Sequence, residues 1–142
     1  MIEYSFFDTP EFEPPEFFIE QITDLYRSQR WWDGPDNAQH VMRIIEGSHC
    51  FVMAVLNSQK IVGMGRAISD RASDAYIQDI TVNKRYRGQG VGTRIIEMII
   101  HRLQNDGIFW IGLIAERGSH GFYEPMGFKQ MPDSIPMILS KP

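Results

Sequence analysis

With one cysteine among 142 residues, the chain can form no internal disulfide. Cys50 lies inside the apolar run CFVMAVL and reads as a reduced core thiol, which points to a reducing cytoplasm. Long hydrophobic runs are also missing. No stretch approaches the roughly 18 uninterrupted apolar residues of a membrane span. The opening MIEYSFFDTPEFEPPEFF has neither the basic start nor the long apolar segment of a signal peptide, so a soluble cytoplasmic protein with no membrane partner is expected. Internal repeats and low-complexity tracts are absent, which excludes solenoid and disordered classes. The four histidines, His40, His49, His101 and His120, form no short ligand motif, and no metal is expected. Positive charge is short as well. At a net charge of −4, with its arginines gathered beside glycines rather than along a stripe, the chain does not fit a nucleic-acid binder.

What is present suits one ordinary globular domain, residues 1–142, large enough to bury a core without metal or disulfide help. The charge is unevenly spread. Nine acids (Glu3, Asp8, Glu11, Glu13, Glu16, Glu20, Asp24, Asp33 and Asp36) face only Arg27 and Arg30 in the first 36 residues, so that third stands at −7 and the remainder at +3. The acidic third is either a solvated face or an attractor for a cation, and the basic remainder suits an anion.

The order of elements follows from periodicity. IEYSFF is rich in strand formers and ends at a proline-rich turn. From Glu16 to Arg30 the residues Phe18, Ile22, Leu25 and Tyr26 recur at helical spacing, with Pro14 and Pro15 suited to the helix start. Asp36 or Asn37 suits the cap of a second helix through Val41, Ile44 and Ile45, stopping at Gly47. CFVMAVL and IVGMGRAI are strands joined by the turn NSQK. AYIQDITV is another, in which alternation puts Tyr76, Gln78, Ile80 and Val82 on one face and Ile77, Asp79 and Thr81 on the other. An amphipathic helix runs from Gly90 through Val91, Ile95, Met98 or Ile99, and Leu103 to near Asn105–Gly107. IFWIGLIA is a strand, GSHGFYEPMGF holds at most a short helix, and IPMIL is a candidate last strand. The expected order is β-α-α-β-β-β-α-β-α-β, a mixed α/β (α+β) architecture around one sheet.

Between strand and helix stands RYRGQGVG, residues 85–92. Glycines at such a junction bring the free N–H groups of a first helical turn close to a ligand, with the helix dipole adding positive character, and this makes a phosphate seat. Arg85 and Arg87 add full charge. The spelling is not a P-loop, since no lysine separates Gly92 from Thr93. Nor is it a dinucleotide fingerprint, since Thr93 stands where the third glycine belongs.

Arg87-Gly88-Gln89-Gly90-Val91-Gly92, with YIQDITV upstream and GFYEPMGF downstream, resembles the R/Q-x-x-G-x-G/A pattern and flanking motifs of the GNAT superfamily of N-acetyltransferases. The likeness is strongest over residues 75–128. It implies a GNAT-like fold and acetyl-coenzyme A as donor. The diphosphate would rest on the backbone of Arg87, Gly88, Gln89, Gly90, Val91, Gly92 and Thr93, and the pantetheine arm would lie beside Ile80, Thr81 and Val82, where this strand splays from the next. Lys84, Arg85 or Arg94 would reach the nucleotide end or remain plain surface charges. The resemblance allows a monomer or a homodimer.

Aminolysis of a thioester requires a neutral amine, stabilisation of an oxyanion and a proton for the departing thiolate. The resemblance gives the last task to Tyr123, whose ordinary pKa near 10 keeps it protonated at neutral pH; the alternative is a packing tyrosine. A lysine-like amine is neutral in only about one molecule per 2,500 at pH 7, a cost of roughly 4.6 kcal/mol, so a base would help. Asp79 is one candidate. YIQDITVNKRYRGQG is also locally similar to glucosamine-6-phosphate N-acetyltransferases, but Gln78 occupies the first of their two acidic positions and cannot take a proton. Glu116, where many family members carry asparagine, is a second candidate, His120 a third, and a water chain a fourth. The resemblance puts acceptor recognition near the first two helices, where Tyr26, Trp31 and Trp32 lie within the acidic third, suited to a cationic amine held against an indole face. The tryptophans are alternatively core anchors. The functional expectation is acetyl transfer to a primary amine, either a small amine or a peptide N-terminus or lysine. The alternative is a catalytically inert acyl-coenzyme A-binding regulatory module.

Overall fold

The computed structural model describes residues 1–7, 16–29, 31, 38–140 and 142. Five strands form one sheet in chain order: β1 (Ile2–Phe6), β2 (Cys50–Leu56), β3 (Lys60–Ser69), β4 (Asp74–Val82) and β5 (Trp110–Leu113). All neighbours are antiparallel except β4 and β5, which are parallel and connected through helix α3 (Val91–Asn105). Helices α1 (Glu16–Ser28) and α2 (Ala38–Gly47) precede β2, and a four-residue α4 (His120–Tyr123) follows β5.

The observed burial explains this layering. Along β2, Phe51, Met53 and Val55 join the core beneath α1 and α2, while Cys50, Val52 and Ala54 join the core beneath α3. A strand covered on both faces has no polar side, which is why CFVMAVL is apolar throughout. Phe18, Ile19, Ile22, Leu25 and Tyr26 form the buried stripe of α1, and Ile95, Ile96, Ile99 and Leu103 that of α3. The C-terminus of α3 is tied down by His49. Its ring nitrogens share hydrogen bonds with Asp106 at 2.7 Å and Ser69 at 2.6 Å.

Two of these expectations change. Helix α1 ends at Ser28 rather than Arg30, with the Ser28 hydroxyl donating to the Leu25 carbonyl at 2.7 Å. The expected caps Asp36 and Asn37 lie outside the described residues. IPMIL is no strand here: residues 134–140 are exposed and belong to no strand.

The alternation expected of β4 also fails, for a physical reason. Arg66 pairs with Gln78 and Met64 with Thr81, so Gly65 alone stands opposite Asp79 and Ile80. This is a β-bulge, with Asp79 in the left-handed region at φ 61°. The extra residue reverses the alternation. Ile80 and Val82 therefore pack with Ile77 on the α3 side, while Asp79 and Gln78 both meet Arg66.

Gly65 makes room for the bulge. A Cβ there would overlap Ile80 Cδ1 and lie 2.8 Å from Ile95 Cγ2. Gly65→Ala is expected to destabilise the fold by about 1–3 kcal/mol in urea unfolding, and an unchanged midpoint would contradict this account of the bulge.

Candidate active site

Pairing between β4 and β5 stops at Ile77 and Leu113, immediately before the bulge. Beyond that point Gln78–Val82 has no strand partner on this side among the described residues. The opening is a cleft of about 900 Å³. The divergence follows from the local twist and bend that a bulge gives its strand.

Two groups hold Asp79 in its unusual backbone conformation. Tyr26 donates its hydroxyl to Asp79 Oδ2 at 2.7 Å, and Arg66 Nε donates to the same oxygen at 2.5 Å. Arg66 also donates to Gln78 Oε1 at 3.2 Å and to Ser48 Oγ at 3.4 Å. Burial, then the Asp79 charge and hydrogen bond, push the Tyr26 hydroxyl well above its ordinary pKa, so it remains a neutral donor. Tyr26 is only 2% exposed and does not line the cleft. It therefore acts on the site through Asp79, rather than as the acceptor contact expected from its position in the chain.

At the other end of β4, Asn83 Oδ1 accepts from the Arg85 backbone N–H at 3.0 Å and caps a short 3-10 turn, Lys84–Tyr86. Gly88 at φ 77° and Gly90 at φ 84° then bend the chain into α3 through left-handed conformations that favour glycine. No atom lies within 4 Å of where a Cβ would stand on either. Gly90 is the N-cap, with no side-chain cap, so the first N–H groups of α3, at Val91, Gly92 and Thr93, have no partner within the helix. These residues line the cleft. Gly92 is small for a different reason: a Cβ there would lie 3.0 Å from the Phe122 ring. This brings α4 against the start of α3.

Tyr123 stands on that short helix and lines the cleft, its ring edge-on to Phe122 at 5.1 Å and to Phe128 at 5.9 Å. Burial and then the negative charge of Glu116 raise its hydroxyl above the usual value of 10. It keeps its proton throughout the neutral range. Glu116 is exposed on the cleft wall.

One cleft thus gathers Asp79, Ile80, Thr81, Val82, Arg87, Gly88, Gly90, Val91, Gly92, Thr93, Glu116, Tyr123 and Trp31. Trp31 also packs against the α1–α2 core. Other expected residues fall elsewhere. Gln89 turns its side chain back to the Arg85 carbonyl at 3.5 Å. Lys84 and Arg85 line a separate depression beside α1, Arg94 pairs with Glu97 at 4.0 Å, and His120 does not line the cleft. Arg87 Nε donates to the Val82 carbonyl at 3.0 Å, bracing the loop against the strand end. Trp32 lies outside the described residues. Sequence reasoning missed Phe122, Arg117, Ser119 and Gln29. Phe122 had a signal, being adjacent to Tyr123. Arg117 donates to the Gln29 carbonyl across 88 positions of chain at 3.3 Å, which no local pattern could indicate. Among the described residues no group of His, Cys, Asp and Glu is arranged to hold a metal, and no helix is long and apolar enough to cross a membrane.

A mixed sheet that splits beside a helix N-terminus with no side-chain cap is the architecture of this chain. Residues 7–128 match the acetyltransferase (GNAT) family, and the chain belongs to it. Among curated relatives, GCN5-related N-acetyltransferase 2, chloroplastic, of Arabidopsis thaliana is 38% identical over 77 residues, 54% of this chain and 30% of that protein. The chain thus spans about a third of that relative's length. Among solved structures, a probable acetyltransferase of unknown function from meticillin-resistant Staphylococcus aureus shares the fold at TM-score 0.78 and 24% identity, covering 99% of this chain and 100% of that one. A predicted acetyltransferase with acetyl-CoA from Clostridium acetobutylicum aligns at TM-score 0.71 and 15% identity, covering 97% and 96%.

The raised Tyr123 pKa has a second cause beyond burial, and that cause can be removed. Glu116→Gln is expected to lower the midpoint of tyrosinate formation at Tyr123, isolated spectrophotometrically by difference against Tyr123→Phe. An unmoved midpoint would separate the two side chains electrostatically.

Proposed function

We propose that this protein is an acetyl-coenzyme A-dependent N-acetyltransferase that passes the acetyl group from the thioester directly to a primary amine, a small amine or a peptide N-terminus or lysine. One observation carries the reading: a single cleft unites the open backbone of Gly88 and Gly90, the unpaired side of a bulged strand, and a tyrosine that keeps its proton. The coenzyme, when bound, supplies the activated acyl group. Residues Arg87–Thr93 would hold its diphosphate, Gln89 through its backbone alone, and Ile80–Val82 would line its arm. The open space at Gly88 and Gly90 supports this fit, because a side chain there would stand between ligand and backbone.

Tyr123 Oη gives its proton to the departing thiolate. Glu116 takes the proton of the incoming amine, directly or through water, and its charge with the Trp31 indole favours a cationic acceptor. Asp79 holds the bulge instead of acting as base, since its Oδ2 already accepts from Tyr26 and Arg66.

Calorimetry is expected to register binding of both acetyl-coenzyme A and its desacetyl product, and an amine panel is expected to yield free thiol. Absence of heat with folded protein would sink the reading. Heat without thiol release on any amine would instead mark an inert coenzyme-binding module. Tyr123→Phe is expected to lower kcat about 100-fold with coenzyme affinity kept; unchanged turnover would reduce Tyr123 to packing. Glu116→Gln is expected to lower kcat about 100-fold with coenzyme affinity kept, whereas Asp79→Asn acts by loosening the bulge and is expected to lower the urea midpoint as well. Unchanged turnover in Glu116→Gln would leave proton removal to water.

A further inference from the structure

Glu116 and Arg117 are adjacent in the chain, carry opposite charges and both line the cleft. Among the described residues Glu116 forms no ion pair and Arg117 has no carboxylate partner. What Arg117 does have is a fixed place. Its backbone is left-handed at φ 55°, followed by Gly118 at φ 73°. A residue with a side chain adopts that conformation only where its surroundings hold it. Here Nη2 donates to the Gln29 carbonyl, just past the end of α1, at 3.3 Å. A guanidinium carries more donors than this one bond uses, so the others are open to a ligand.

Gln78 adds a second donor to the same cleft. Arg66 Nη2 donates to its Oε1 at 3.2 Å. Because a guanidinium only donates, the amide must turn its carbonyl to Arg66 and its NH2 away. Among the described residues that NH2 has no partner. Contacts across the fold link these groups. Arg66 binds both Gln78 and Asp79, Tyr26 binds Asp79 and packs edge-on to Trp31 at 6.0 Å, and Arg117 binds Gln29, two positions before Trp31. An unpaired carboxylate, an open guanidinium, a free amide NH2 and an indole therefore border one cleft.

This set discriminates among amines. A polyamine or a lysine side chain brings positive charge to Arg117 and leaves the donors unmatched, whereas an amine that also bears a carboxylate matches both charges. Resting on the reading of this cleft as an acetyl-transfer site, we propose that the acceptor is a free amino acid, its amine at Glu116 and its carboxylate held by Arg117 and the Gln78 amide, leaving the Trp31 indole for the side chain. One proton of the ammonium goes to Glu116 and from there to water. The C–N bond forms as the thioester C–S bond breaks, the thiolate takes the Tyr123 proton, and the second amine proton restores it. The N-acetyl amino acid has lost its ammonium and with it the attraction of Glu116, which favours release.

The test follows free thiol from acetyl-coenzyme A with each standard amino acid beside its methyl ester and, where one exists, the amine left by decarboxylation. The best free amino acid is expected to exceed both analogues in kcat/KM by about 10-fold or more. Arg117→Ala is expected to lower that preference about 10-fold through KM for the free acid, and Arg117→Lys to restore part of it. Gln78→Glu sets a carboxylate against that of the ligand and is expected to lower the preference as well. Each ratio is taken within one variant, so it does not depend on how much of that variant folds. No preference in the unaltered protein, or one that either folded variant leaves unmoved, overturns the proposal. Equilibrium titration in the presence of desacetyl-coenzyme A is expected to rank the amino acid above both analogues, and it reads the preference even where no thiol is released; an analogue ranked first overturns it. Faster thiol release with ester or decarboxylated amine than with any amino acid overturns this inference and leaves the transferase reading intact.

Discussion

The Asp79 carboxylate, gripped by the Arg66 guanidinium and the Tyr26 hydroxyl, is the contact on which the site depends. A non-glycine residue in the left-handed region costs on the order of 1–3 kcal/mol unless its surroundings hold it there. Here an ion pair and a hydrogen bond from α1 do so, with both partners largely withdrawn from water. The held residue is the extra one of a bulge. That bulge bends β4 away from β5, and the divergence is the cleft. A helix on one face of the sheet thus sets the shape of an opening between two strands.

Around this point one opening brings together polar backbone and a side chain that keeps its proton. The loop into α3 exposes N–H groups because Gly88 and Gly90 turn it without side chains and no residue caps the helix. Tyr123, on the wall formed by α4, is kept protonated by burial and by the neighbouring Glu116. An anionic tail and a proton-requiring leaving group are both parts of a coenzyme A thioester, and the proposed function uses the exposed N–H groups for the first and Tyr123 for the second. Phe122, accommodated by Gly92, packs α4 against the head of α3.

Much of this was legible beforehand where local patterns decide. The 3.6-residue stripes of α1 and α3, the strand formed by CFVMAVL and the bare turn at Gly88–Gly90 all follow from rules acting within a few residues. Legibility stopped where distant groups intervene. Strict alternation along AYIQDITV sends Asp79 away from Gln78, yet Arg66, thirteen positions upstream of Asp79, binds both. Arg94 sits beside the glycines in the chain, but helical geometry turns it to Glu97 and the Tyr4 ring. IPMIL has the composition of a strand and none of its pairing within a single copy.

The amino-acid sequence by itself determined the alternation of strands and helices, the two-faced core and the backbone cradle at the head of α3, because side-chain size, polarity and glycine's freedom act locally. Tertiary structure alone decided where β4 bends, which carboxylate becomes a brace and which remains on the cleft wall, and how strongly Tyr123 holds its proton. Those outcomes depend on burial and on charges brought together from remote positions, and neither is defined until the chain has packed.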